Sequence, residues 1–236
     1  MDWKTLNAIA TTTLAPFLML CAIHAQDAKT PYPSMAPLEQ YLIADPAAEI
    51  ALARSAAPDS ISKDASVMVL TRHGYETAVP GKNGFVCIVE RGWSAPSDNP
   101  DFWNPKLRGP LCINPAAVRT YLPLTLKKTG WVLAGQTKEQ MYANLKAAFD
   151  KQQFPTQEPG AMCYMLSKQG YLADGTGHWH PHLMFFLPLA DAKTWGADLP
   201  GSPIIAAEVP TDHLTIFMVP VAKWSDGTPD ESPHAH

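Results

Sequence analysis

Apolar residues recur at helical spacing between 141 and 149, where Met141, Tyr142, Leu145, Ala148 and Phe149 fall on one stripe. Thr137 and Gln140 form a capping box just before that stripe, so the pattern predicts a helix that runs to Asp150. Asp45-Pro46 places a capping carboxylate ahead of a proline at the first helical position, and Ile50, Leu52, Ala53 and Ala56 carry a helix to about Ala57. A short helical turn precedes it around Leu38 to Ile43. Asn114-Pro115 repeats the capping signal and opens a third helix, which Pro123 interrupts.

Between these stretches the period changes to that of strands. Val67 to Thr77 and Phe85 to Arg91 flank the turn signal Pro80-Gly81-Lys82-Asn83-Gly84 and predict a hairpin. The second of these runs is apolar on both faces, as a central strand must be. Ala161 to Leu166, His182 to Leu187, Ile204 to Val209 and Leu214 to Val221 add four more strands. Residues 92–113 read as a long ordered loop, in which Trp93, Phe102 and Trp103 fold over the sheet or roof a cleft. Strands adjacent in sequence favour an α+β fold: a predominantly antiparallel sheet of about five to six strands, with two to three helices packed on one side.

The first 25 residues carry one Lys, an uncharged run from Leu6 to Cys21 and a small residue at Ala25. This is the pattern of a secretory signal peptide cleaved after Ala25 and predicts a periplasmic or secreted protein. The apolar run is broken by Thr11 to Thr13 and Pro16 and falls short of the roughly 20 residues a spanning helix needs. No membrane span is expected after cleavage. Residues 26–36 read as a mobile segment, 37–224 as one globular α+β domain and 225–236 as a disordered polar tail. The net charge of −4 has no basic block behind it, which excludes nucleic acid as a partner.

Of the three cysteines beyond the leader, Cys87 and Cys163 sit in apolar strand runs, where a thiol acts as a small buried hydrophobe. Cys112, beside Pro110, is the better placed partner for a disulfide, with Cys87 a candidate for its other end.

Three of the eight histidines fall within five positions: His178, His180 and His182. In an extended chain they share one face, with Trp179 and Pro181 on the other, and neighbouring imidazoles on that face can converge on one ion. Pro181 confines the segment to a strand start, an edge or a bulge. Imidazole-rich sites suit zinc or copper, and an open coordination position would make the site catalytic. The bland alternative is that these rings stack on Trp179 or cap backbone carbonyls. Glu90, His73 and His213 are the groups that could complete the cluster, Glu90 as a fourth ligand or a general base. The alternative for Glu90 is an ion pair with Arg91 or another arginine. Asp174 sits in an Asp-Gly turn, which explains it fully.

Leu70-Thr71-Arg72-His73-Gly74, an apolar strand ending in Arg-His-Gly, resembles the signature of the histidine phosphatase superfamily. The resemblance implies phosphohydrolase chemistry, with His73 taking the phosphoryl group and Arg72 binding its oxygens. In that family the motif leads into a helix, whereas here a turn signal and a strand follow. Phosphate loops, dinucleotide fingerprints and Gly-x-Ser-x-Gly elbows are absent from the sequence. The functional classes that remain are an exported metal-binding protein or metal-dependent enzyme, a non-enzymatic periplasmic module that binds a small molecule, and an envelope interaction protein.

Overall fold

The computed structural model describes residues 31–96, 98–174 and 179–231. The expected leader, His178 and the terminal His234 and His236 lie outside them. Helices α1 (Pro46–Arg54) and α2 (Asp59–Ser62) precede strands β1 (Ser66–Thr71), β2 (Gly74–Val79), β3 (Val86–Glu90) and β4 (Gly109–Ile113). Helices α3 (Pro115–Thr120), α4 (Leu122–Leu133) and α5 (Lys138–Asp150) follow. Strands β5 (Met162–Met165), β6 (His182–Pro188), β7 (Ile205–Val209) and β8 (Leu214–Pro220) complete one sheet in the order β2-β1-β3-β4-β5-β6-β8-β7. Every neighbouring pair is antiparallel except β1 with β3.

The fold is therefore α+β and mostly antiparallel as expected, but the sheet has eight strands rather than five to six. Two strands went unread for separate reasons. The run from Val67 to Thr77 is itself a hairpin that turns at Arg72-His73, with Gly74 at φ 122°, a conformation that glycine adopts without strain. The second, β4, lies within what reads as a loop, because Pro110 cannot donate to a ladder and breaks the strand pattern. Its five residues are all buried between β3 and β5.

The turn at 80–85 does not fold β3 back against β1 as a hairpin. It carries the chain past the start of β1, and β3 then pairs with β1 in parallel. Gly81 makes that crossing possible, since a Cβ there would lie 2.1 Å from the Ser66 amide nitrogen.

Helices cover both faces of the sheet, not one. Every residue of β3 is buried, so each face of that strand needs its own cover. Cys87, Val89 and Cys112 pack with Ala53 and Ala56 at the α1 side. Val86, Ile88, Leu111 and Ile113 pack with Tyr121, Leu124, Met141 and Leu145 of the α3–α5 side. Cys87 and Cys112 face each other across β3 and β4 and are joined by a disulfide, while Cys163 is free and buried. Helix α5 starts on the expected capping box, with Gln140 N–H donating to Thr137 Oγ1 and the Gln140 side chain accepting from the Thr137 amide. Pro123 does interrupt α3, and it also starts α4, where it occupies the first turn.

Trp93 and Trp103 fill the core instead of roofing a cleft. Trp93 is fully buried, donates from Nε1 to Thr129 Oγ1 at 3.1 Å and lies 4.9 Å from the Tyr41 ring. Glu90 and Arg91 do not pair with each other, because successive strand residues face opposite ways. Arg91 turns toward α1, where its Nη2 donates to Glu49 at 2.9 Å and its Nε to the Tyr41 carbonyl at 2.7 Å. Both charges are buried, and the same Glu49 oxygen accepts the Leu70 amide at 3.1 Å.

Candidate functional site

The described part of the histidine segment approaches β6 outside regular structure and enters it at His182. Trp179 anchors the approach by donating from Nε1 to the Ser167 carbonyl at 2.7 Å. His180 Nδ1 lies 2.7 Å from the carboxylate of Asp230, whose side chain is 1% exposed. His182 Nδ1 lies 2.9 Å from the His180 carbonyl, which can only accept, so this nitrogen carries the proton. Burial lowers the His182 pKa and favours the neutral ring. The Trp179 and His182 rings meet edge to face, with centroids 4.9 Å apart. One imidazole thus meets a carboxylate and the next a carbonyl. Among the described residues no group of three or more His, Cys, Asp or Glu stands in a metal-holding arrangement.

The groups named as completing the cluster lie elsewhere. His73 is exposed at the β1–β2 turn, its amide bonded to Thr71 Oγ1, and Arg72 beside it pairs with Glu39 at 2.7 Å. A strand follows the Arg-His-Gly motif, not the helix of the family it resembles. His213 precedes Leu214, which pairs with Pro188, six residues along β6 from His182. At strand spacing that separation is about 20 Å.

Glu90 ends β3 on the α4 side and is buried. Residues three and four apart on a helix share a face, so α4 brings Thr125, Lys128 and Thr129 inward together, with Tyr121 one turn earlier. Tyr121 donates its hydroxyl to Glu90 at 2.9 Å and Thr125 donates at 3.3 Å. Burial pushes the Glu90 carboxyl up to about 7, partly opposed by these donors and by the Lys128 charge. Lys128 donates to the Ser94 and Ala95 carbonyls at 3.2 and 3.1 Å and pairs with Asp212 at 3.2 Å. Buried polar groups therefore run from Glu90 along α4 to Asp212.

Asp212 forms part of the wall of a cleft of about 770 Å³ at the C-terminal end of α5. Two pieces of irregular backbone shape it. Helix α5 ends in a Schellman turn, with Gln153 N–H bonded to the Ala148 carbonyl and Gln152 N–H to that of Phe149. Gln152 takes the left-handed position, φ 53°, where glycine is usual. On the opposite side, the 3-10 turn Pro210–Asp212 ends at His213, also left-handed at φ 54°. Left-handed backbone costs a residue with a Cβ about 1–2 kcal/mol. Three described non-glycine residues have positive φ, and two of them line this cleft.

That conformation lays the His213 imidazole flat on Phe149, with ring centroids 4.1 Å apart and planes 9° from parallel. Phe154 packs against Phe149, its ring centroid 5.0 Å away and its plane tilted by 50°. Gln157 donates from Nε2 to the Thr120 carbonyl at 3.2 Å, while its Oε1 is buried with no partner. The cleft has the size of a ligand pocket, an aromatic wall, two side-chain amides and one carboxylate.

Sequence reasoning named His213 only as a companion of the distant histidines and read Phe149 as core. The α4 stripe carries a readable signal, Thr125, Lys128 and Thr129 at helical spacing among apolar neighbours, which Pro123 masks because a proline suits a helix start as well as an interruption. The left-handed backbone at Gln152 has no such signal, and His213 carries only a weak one, since histidine is enriched at positive φ but seldom adopts it.

Asp174 accepts from the hydroxyls of Tyr171 and Tyr32, which hold its carboxyl at about 2. Among the described residues no helix is long and apolar enough to cross a membrane. Comparison with protein-family models, with curated proteins and with solved structures finds no match for this chain.

Proposed function

We propose that this protein is an exported, non-enzymatic binding module that holds a small organic molecule in the cleft between the end of α5 and the start of β8. The leader pattern of the first 25 residues supports export. One observation carries the binding assignment: two residues in costly left-handed backbone, Gln152 and His213, border the same cleft. Strain of this kind gathers where a side chain must be held for a ligand.

A fragment library screened by saturation-transfer NMR tests it with His213→Gly. Glycine relieves the left-handed backbone and loses the ring stack and some chain entropy, so stability should stay within about 1 kcal/mol of wild type. Fragments that bind wild type should weaken roughly tenfold, the scale of one lost aromatic contact. Fragments that bind both proteins equally, or a library without binders, would count against the cleft.

A second reading is favoured by the Asp230–His180 contact, since a buried carboxylate on Nδ1 is how metal-bound imidazoles are oriented. In it, His180 and His182 contribute to a zinc or copper site. Metal analysis of the purified full chain should then show less bound metal in His180→Ala, and equal content in both proteins would end this reading.

A further inference from the structure

The polar groups of the cleft restrict the kind of molecule it takes. Among the described residues no lysine or arginine lines it, so it offers no permanent side-chain cation for a phosphate or carboxylate ligand. The one carboxylate among the described wall residues, Asp212, already faces the Lys128 ammonium at 3.2 Å and also accepts the Thr211 hydroxyl. A cationic ligand would compete with that buried pair. The cleft is therefore matched to a neutral molecule.

Its uncharged hydrogen-bonding side chains include the amides of Gln152 and Gln157 and the hydroxyl of Thr156. The Gln157 amide is fixed by its bond to Thr120, leaving its buried Oε1 without a donor, and Gln152 stands exposed. The platform is a single flat surface, an exposed His213 imidazole backed by Phe149, and Phe154 is inclined to it instead of opposing it in parallel. A planar heterocycle gains most from being sandwiched between two rings. A pyranose uses one platform, laying its C–H face on the ring and turning its hydroxyls outward to amides that both donate and accept.

We infer that the cleft binds a neutral saccharide, a short oligosaccharide with one pyranose seated on His213. This rests on the cleft being the binding site.

Isothermal titration and saturation-transfer NMR with the full chain would use cellotriose, maltotriose and di-N-acetylchitobiose as neutral probes. Digalacturonate serves as the anionic probe and nicotinamide as the neutral planar one. At least one neutral oligosaccharide should bind, with saturation strongest on the C–H protons of one ring, and roughly tenfold more weakly to His213→Gly. Gln157→Leu, which keeps the side-chain volume but removes both the acceptor and the bond to the Thr120 carbonyl, should weaken the same sugar, and its melting temperature measures how much of the change is structural.

Tighter binding of digalacturonate, or sugar binding unchanged in both variants, would overturn the inference. Nicotinamide bound through His213 with no sugar bound would overturn the saccharide and leave the cleft standing. Failure of every probe, with the fragment library also silent, would overturn both.

Discussion

Glu49→Leu is expected to destabilise the fold by about 3–5 kcal/mol, because it leaves the Arg91 guanidinium buried without its counter-charge. Arg91 is fully buried and its Nε and Nη1 hold the carbonyls of Tyr41 and Val89, so it cannot swing out to water. The Leu70 amide loses its acceptor in the same variant. Urea denaturation of both proteins gives the difference directly. Adding Arg91→Met should recover part of the loss and not all of it, since two carbonyls then lack their donor. A loss below about 1 kcal/mol for Glu49→Leu would show that the pair is not held as described. The pair also matters to the polar groups on the other face. Arg91 leads directly into the 3-10 turn Gly92–Ser94, whose last residue, with Ala95, supplies the carbonyls that Lys128 binds.

The second large effect is a dependence of stability on pH set by Glu90. Its carboxyl is raised from the ordinary 4.5 to about 7 by burial, so the folded state holds this proton more tightly than the unfolded chain. The stabilisation is complete below about pH 4.5 and is lost as pH rises through 7, a change of up to roughly 3 kcal/mol. Glu90→Gln keeps the shape, cannot ionise and should remove this decline, so that the variant gains on wild type between pH 5 and about 8.

His182 acts in the opposite sense. Its lowered pKa favours folding as pH rises toward the ordinary histidine value. Asp174, held at about 2, acts only in acid. The difference between wild type and Glu90→Gln across the pH series isolates the Glu90 contribution from both. Parallel stability curves for the two proteins would refute a buried, neutral Glu90.

Much of the architecture could be read along the chain, where local chemistry and burial agree. The Thr137–Gln140 capping box and the stripe from Met141 to Phe149 specify α5 without help from the rest of the molecule. The unbroken apolar run of β3 specified a central strand. Where local and tertiary demands conflict, the local pattern misleads. Pro110 disfavours a strand by its missing donor, yet β4 forms because β3 and β5 flank it and a disulfide ties it to β3. The same applies to β3, whose two buried faces imply two layers of cover although the sequence does not say which helices supply them.

The candidate site divides in the same way. Residue type and spacing drew attention to His180, His182 and Glu90, and they did identify groups with unusual surroundings: a buried carboxylate partner, a desolvated imidazole and a raised carboxyl. What each group meets was decided by pairing across the sheet. The β6–β8 register puts His213 about 20 Å from His182 and beside Phe149, which lies 64 residues earlier in the chain. A cleft built from a helix end, a left-handed turn and a strand start is a property of packing. By itself the sequence determined the individual elements and the chemistry each carries. Only the tertiary structure decided which of those chemistries share a cavity, because that depends on strand register and backbone handedness, to which residue spacing is blind.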